Sequence, residues 1–261
     1  MRKKYHLPTG AVYAPYLIDI VENNHTLIAG STGAGKSVLE NSIIYALLST
    51  TFPGKPDHGR GAHFVLIDPK KVELFMYKNL PHTLLYADNI PDIINALQIV
   101  RDIINQRLSK MQRAGLRKSD ECEIYVFIDE LVDLVKSKES KTIINLLADS
   151  ISIARAANVF FCISTQAPNR RILLPEIVLN CNCRVALFCN DRIESREIIG
   201  DGSAADLPKH GIAIVKRNID RYKIKIPFYS DAEIDKMIAH WEKQNKLSGI
   251  ISRIKNKLKR H

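Results

Sequence analysis

One segment of the chain has the residue types and spacing of a phosphate-binding loop. It reads Gly30-Ser31-Thr32-Gly33-Ala34-Gly35-Lys36-Ser37, a glycine followed by four residues and then Gly-Lys-Ser. The glycines allow successive backbone N–H groups to turn inward around phosphate oxygens. The Lys36 ammonium would then bind the β- and γ-phosphates and act in catalysis, and the Ser37 hydroxyl would bind Mg²⁺. The segment, continued by Val38, predicts a site for ATP and Mg²⁺.

Two further groups of polar residues follow apolar runs that predict strands. The run 124–128 ends in Asp129 and Glu130, and the run 159–163 ends in Ser164-Thr165-Gln166. Ligands of parallel sheets bind at the carboxyl ends of strands. Asp129 is therefore predicted to hold Mg²⁺, directly or through water, and Glu130 to deprotonate the attacking water. Gln166 would lie between the γ-phosphate and the rest of the protein.

The elements that must position these residues alternate along the chain. Short apolar runs predict strands at 26–29, 63–67, 124–128, 159–163 and 184–188, and periodic runs predict helices at 36–49, 92–113, 140–157 and 191–198. That alternation predicts an α/β domain with a mostly parallel sheet. Two further strands, 211–216 and 222–226, and a helix ending at Trp241 are expected near the end. The polar stretch 51–61 predicts a loop.

The positive charge of the chain is concentrated at its C-terminus. Of a net charge of +10, residues 243–261 contribute seven basic side chains and no acidic one, which leaves 31 basic and 28 acidic residues elsewhere. Apolar residues recur at helical spacing in this tail, so it predicts a basic amphipathic helix. Three interpretations remain open: a helix packed on the body, a nucleic-acid contact, and a contact with a membrane surface or a partner.

Cysteine usage and hydropathy predict a cytoplasmic protein. The five cysteines lack the paired spacing of a zinc site, which favours buried thiols in a reducing compartment. No apolar stretch approaches the ~18 residues that a membrane-spanning helix needs. The basic N-terminus is not followed by the apolar region of a secretory signal. We therefore expect no membrane anchor.

Taken in order, the motifs resemble those of the FtsK/SpoIIIE family of DNA-pumping ATPases, over about residues 7–244. The similar motifs after the loop are Asp68-Pro69-Lys70 with Glu73-Leu74, Tyr77 and Pro81-His82; Arg107; Asp129-Glu130 with Asp133; Arg155-Ala156-Ala157; Thr165-Gln166; and Asn180, Arg184 and Ser195-Arg196. The sequence departs from the family pattern at Ala167, where an arginine is usual, and at Asn158 and His210-Gly211. Arg170 and Arg171 lie near the first departure.

The resemblance implies a RecA-like P-loop NTPase fold and a homohexameric ring that moves double-stranded DNA. An arginine of the neighbouring subunit would complete each active site, with Arg155, Arg184 and Arg196 as candidates and Arg155 and Arg196 preferred. The domain division expected is an N-terminal extension (1–24), the ATPase domain (25–244) and the basic tail (245–261). His82 and Lys70 are expected to have structural or allosteric roles.

The expected function is therefore an ATP-driven DNA translocase. The short chain, with neither the anchor nor the winged-helix domain of chromosomal members, suits a plasmid, phage or integrative element, with an element-encoded protein as a further partner. Two alternatives remain open. One is a related motor that acts on single-stranded DNA in conjugation or on a secreted protein. The other is a slow, ATP-gated DNA-binding or recruitment factor.

Overall fold

The computed structural model describes residues 14–53 and 61–243 as an α/β domain. Its strands are β1 (Thr26–Ala29), β2 (Phe52–Pro53), β3 (Gly61–Ile67), β4 (Thr83–Ala87), β5 (Glu123–Ile128), β6 (Val159–Thr165), β7 (Cys183–Ala186), β8 (Ile212–Arg217) and β9 (Asp220–Lys225). Its helices are α1 (Ala14–Val21), α2 (Lys36–Thr50), α3 (Ile90–Ala114), α4 (Leu131–Val135), α5 (Ser140–Ile153), α6 (Pro175–Val178), α7 (Arg192–Ile199) and α8 (231–243).

The strands form one mixed sheet in the order β2-β3-β5-β6-β1-β7-β8-β9, with β4 also paired to β3. The pairings from β2 to β7 are parallel, and β8 and β9 are antiparallel additions at one edge. β1 lies between β6 and β7, so the loop after β1 emerges in the middle of the sheet. This arrangement confirms the predicted α/β class with its mostly parallel sheet.

Helices cover both faces of the sheet, which explains why the central strands are apolar throughout. All four residues of β1 and all seven of β6 are buried. One face packs against α3, α5 and α7, and the other packs against α1 and α2. A strand covered on both faces has no solvent-facing side, so it shows a continuous apolar run and no alternation. That pattern made these strands recognisable in the sequence.

The first and last described helices pack on the same face as α2. Leu17, Ile20 and Val21 of α1 are buried in that cluster. In α8, Trp241 donates its indole N–H to the carbonyl of Leu48, 3.1 Å away, and its ring meets the edge of buried His82. Residues near both ends of the described chain therefore belong to the core that holds α2 and, through it, the phosphate loop.

Several predicted boundaries were wrong. The predicted loop 51–61 begins with β2 at Phe52–Pro53, and its residues 54–60 lie outside the described residues. The predicted helix 140–157 ends at Ile153, because residues 154–158 form turns before β6, and the predicted strand 184–188 covers Cys183–Ala186. The sequence analysis did not predict β4, α1, α4 or α6. The basic tail falls beyond the described chain.

Candidate nucleotide-binding and catalytic site

The phosphate loop connects the carboxyl end of β1 to the first turn of α2. Gly33 and Gly35 have φ angles of 76° and 97°, in the left-handed region that favours glycine. A Cβ added at Gly30 would lie 2.7 Å from the Cβ of Leu187, so this position has no room for a side chain. The loop sequence is thus required by its own backbone path and by its close approach to the segment after β7.

Lys36 lies at the centre of a buried charged cluster below the loop. Its ammonium donates to Oδ1 of Asp129 at the end of β5, and to Oγ of Ser164 on β6, 3.2 Å away. Its third contact is with Oε2 of Glu40, one turn further along α2, at 3.5 Å. The sequence analysis predicted Lys36 and Asp129 for one site, and the structure brings them together.

The charges of the cluster change the proton affinities of its members. Burial alone would lower the pKa of Lys36, but the carboxylates of Glu40 and Asp129 outweigh it and hold that pKa above its usual value. Burial raises the pKa of Glu40 to about 7, and the Lys36 ammonium opposes this rise. Lys36 therefore carries its positive charge at neutral pH.

The oxygen ligands that Mg²⁺ prefers are present beside the loop. Ser37 donates its hydroxyl to Oε1 of Glu73, at 2.7 Å, and the buried carboxylate of Asp129 lies against Lys36. Hydroxyl and carboxylate oxygens next to a phosphate loop suit a small hard cation that is bound mainly by phosphates and water. The residues thus fit the Mg²⁺ of a Mg-ATP complex, with Ser37 and Asp129 as the residues that would hold it.

Glu130 adopts an uncommon backbone conformation at the carboxyl end of β5. Its φ angle is 67°, and its side chain is buried. Oε1 accepts from the hydroxyl of Thr165 at 3.1 Å and from the backbone N–H of Gln166 at 3.2 Å. Oε2 accepts from the ammonium of Lys70 at 3.2 Å. A positive φ in a non-glycine residue costs free energy, and such strain is concentrated at functional sites.

Gln166 connects β6 to the phosphate loop. Its side-chain Oε1 accepts a hydrogen bond from the hydroxyl of Thr32, at 3.0 Å. Its backbone N–H binds Glu130, so the same residue contacts both the loop and the predicted base. Gln166 thus contacts the phosphate loop, and its predicted place beside the γ-phosphate stays a prediction.

The three candidate arginines have very different surroundings. Arg184 donates to the carbonyl oxygens of Val178 and Cys181, at 2.9 and 3.2 Å, so its guanidinium is occupied within its own subunit. Arg196 is exposed on α7, the helix whose Glu194 accepts a hydrogen bond from Ser31 of the phosphate loop at 3.2 Å.

Arg155 lies at the other end of the sheet. It precedes β6, whereas the phosphate loop follows the parallel neighbour β1. β6 has 7 residues, so these two ends are about 20 Å apart. Arg155 is exposed and lines a pocket of about 610 Å³ that also contains Arg117 and Lys118. Within one subunit, Arg155 and the phosphate loop therefore cannot meet.

The sequence analysis missed Glu40 and assigned no chemistry to Glu73. Glu40 is followed by the polar residues Asn41 and Ser42 in α2, and a single acid at that position carries no pattern. Glu73 belongs to the motif that begins at Asp68, and that motif was the signal that could have indicated a role for it.

Comparison with known proteins agrees with this geometry. A sequence model of the FtsK/SpoIIIE family matches residues 1–125. DNA translocase FtsK of Lactococcus lactis subsp. lactis is 31% identical over 87% of this chain and 32% of its own length. The corresponding protein of Staphylococcus epidermidis is 30% identical over 89% of this chain and 31% of its own. The chain thus spans about a third of the length of these relatives.

Solved structures of P-loop ATPases share the fold. The pCW3 conjugation coupling protein TcpA, in a monomer form with ATPγS, has a TM-score of 0.72 at 23% identity, over 85% of this chain and 66% of its own. The type VII secretion ATPase EccC of Thermomonospora curvata has a TM-score of 0.68 at 19% identity, over 84% of this chain and 28% of its own. Among the described helices, none has the length and apolar character that crossing a bilayer requires. With the motifs, the fold and these relatives together, the chain belongs to the FtsK/SpoIIIE family.

Proposed function

We propose that the chain is a cytoplasmic ATP-hydrolysing motor that moves double-stranded DNA. The observation that carries the proposal is the buried Glu130 carboxylate, which directly follows Asp129 and lies beside the phosphate loop. A protein that only binds nucleotide has no need of a second, strained carboxylate at this position. The FtsK translocases that resemble the chain support DNA as the substrate.

Each residue of the site has a distinct task in this reaction. The loop amides and Lys36 bind the phosphates and stabilise charge that develops during transfer. Ser37 and Asp129 would hold Mg²⁺, which would neutralise charge on the β- and γ-phosphates. Glu130, fixed through Oε1 by Thr165 and Gln166, accepts the proton of the attacking water with its other oxygen. Gln166 ties this base to the loop through Thr32.

A second subunit supplies the remaining positive charge. Arg155 is about 20 Å from its own phosphate loop, so it can stabilise a transferring phosphoryl group only in a neighbour. This distance supports Arg155 over Arg196, which lies on a helix next to its own loop. The assembly that follows is a homo-oligomeric ring, hexameric as the family resemblance implies. A plasmid, phage or integrative element is the proposed genetic setting, with an element-encoded partner protein.

ATP turnover measured with linear duplex DNA, with single-stranded DNA and without DNA tests the proposal. We expect turnover to require Mg²⁺ and to rise several-fold with duplex DNA. Stimulation by single strands alone would instead support a conjugation-type motor. Turnover that neither DNA changes would support a motor on protein or a slow ATP-gated switch.

A further inference from the structure

The segment after β3, residues 68–74, contacts residues of the candidate nucleotide site. It is held in a tight turn by Asp68, whose Oδ2 accepts from the N–H of Leu74 at 2.9 Å and whose carbonyl accepts from the N–H of Lys71 at 3.1 Å. Lys71 has a φ angle of 61°. The turn therefore presents its side chains in a defined direction.

Two charged side chains of this segment contact the nucleotide machinery. Glu73 accepts a hydrogen bond from the hydroxyl of Ser37, at 2.7 Å, and Lys70 donates one to Oε2 of Glu130, at 3.2 Å. The next lysine, Lys71, pairs instead with Asp88, at 3.3 Å. One short segment thus contacts both the residue that would hold the metal and the residue that would activate water.

The two oxygens of Glu130 are held in different ways. Oε1 is bound by Thr165 and by the N–H of Gln166, both at the end of the buried strand β6. Oε2 is bound by Lys70, whose side chain is 40% exposed while that of Glu130 is 3% exposed. The Lys70 contact is the one that can be exchanged, because its side chain is flexible and partly in solvent. While it persists, it occupies the oxygen that an attacking water would need.

We propose that Lys70 binds the γ-phosphate of ATP and, in doing so, releases Glu130. The inference rests on the proposed hydrolysis, since a base must lie within about one water molecule of the γ-phosphate. An ammonium 3.2 Å from that base is then within reach of the γ-phosphate oxygens. A phosphate group offers several charge-assisted acceptors and more negative charge than one carboxylate, so it competes effectively for Lys70. ADP lacks the group and leaves Lys70 on Glu130.

Binding of nucleotides, measured on the full chain without turnover, tests this inference. The probes are a fluorescent non-hydrolysable ATP analogue and the matching fluorescent ADP. Lys70→Met should weaken binding of the triphosphate analogue by about tenfold, as expected for loss of one charge-assisted contact. The affinity for the diphosphate should change by less than about twofold. Lys70→Arg should keep most of the preference for the triphosphate analogue over ADP. Lys71→Met is the matched control, because it removes the same charge one residue away, and should change neither affinity.

A double-mutant cycle with Glu130→Gln adds a result that a structural role of Lys70 would not produce. Glu130→Gln removes the competing carboxylate, so it should tighten triphosphate binding severalfold, and the gain should vanish in the Lys70→Met, Glu130→Gln double variant. If Lys70→Met lowers the affinity for both nucleotides equally, or lowers neither, the inference is overturned and the hydrolysis proposal remains intact. A wild-type chain that binds neither nucleotide would overturn both.

Discussion

The ammonium of Lys36 lies 3.5 Å from the carboxylate of Glu40, and both are buried below the phosphate loop. Oε1 of Glu40 has no hydrogen-bond partner among the described residues. A buried carboxylate with one empty oxygen is unfavourable when ionised, which agrees with the rise of its pKa to about 7. The site thus contains an acid whose charge costs stability at neutral pH.

Replacement of this acid should change the pH dependence of stability. The pKa of Glu40 is raised from 4.5 in the unfolded chain to about 7 in the folded one, so the folded state binds more protons between these values. The free energy of unfolding therefore falls as pH rises across this window. In Glu40→Gln this contribution is absent, so the variant should gain stability relative to wild type from pH 5 to pH 8. Urea unfolding of both proteins at several pH values measures this difference in the free energy of unfolding. If the free energies of the two proteins change in parallel with pH, Glu40 does not have a raised pKa in the folded state.

Lys36→Ala and Glu130→Gln should separate binding from turnover. Lys36→Ala removes the charge that binds the β- and γ-phosphates, so nucleotide binding should fall by at least about a hundredfold. Glu130→Gln keeps the shape of the side chain and removes its basicity, so nucleotide should still bind while turnover is lost. Equilibrium binding and steady-state phosphate release give the two values. Normal turnover by Glu130→Gln would exclude Glu130 as the base.

Mixed assemblies should show which arginine acts in a neighbouring subunit. Arg155→Ala should reduce turnover by about 10³-fold or more, as for other trans arginines. Mixing inactive Arg155→Ala subunits with inactive Glu130→Gln subunits should restore part of the activity, because some boundaries then contain an intact site and an intact arginine. Arg196→Ala mixtures serve as the comparison. Recovery only with Arg196→Ala would reverse the assignment made from the position of Arg155.

Truncation after Gln244 tests the basic tail, which lies outside the described residues. Each basic group near a phosphate releases roughly one counterion, so four or more tail contacts would dominate the salt dependence of DNA binding. Basal ATP hydrolysis should persist, since the nucleotide motifs precede the cut. DNA affinity should fall severalfold, with a shallower slope of log affinity against log salt in fluorescence anisotropy. An unchanged slope would assign the tail to packing on the body or on a neighbour.

Sequence patterns were most informative where burial is complete. β1 and β6 are buried throughout and consist largely of apolar runs that lead directly into the site residues, so both the strands and those residues could be predicted. β4 was missed although residues 84–87 form a short apolar run, and only one of its 5 residues is buried. Glu40 was missed because it is the first of three consecutive polar residues of its helix, Glu40-Asn41-Ser42, and such residues usually face solvent. Such positions depend on tertiary contacts, which local patterns do not contain.

The arginines show a different limit of sequence analysis. Arg155, Arg184 and Arg196 were all candidates in the sequence, and only the family resemblance favoured Arg155 and Arg196. The difference between Arg184 and Arg155 depends on which carbonyl groups surround Arg184 and on which end of the sheet holds Arg155. Neither property leaves a local signal, because both follow from the order and direction of strands far apart in the chain.

The placement of the phosphate loop and Arg155 at opposite ends of one sheet restricts the symmetry of an active assembly. In the proposed ring, each subunit gives Arg155 to one neighbour and receives it from the other, so the contact joins two unlike surfaces and is heterologous. A two-fold dimer could complete its sites only through one self-complementary interface that spans both groups, which lie about 20 Å apart in each subunit. Repeating a heterologous contact produces either a closed ring or an open helical filament, and the rotation between neighbours decides which. Because each site needs an arginine from another subunit, turnover should rise steeply with protein concentration as the assembly forms.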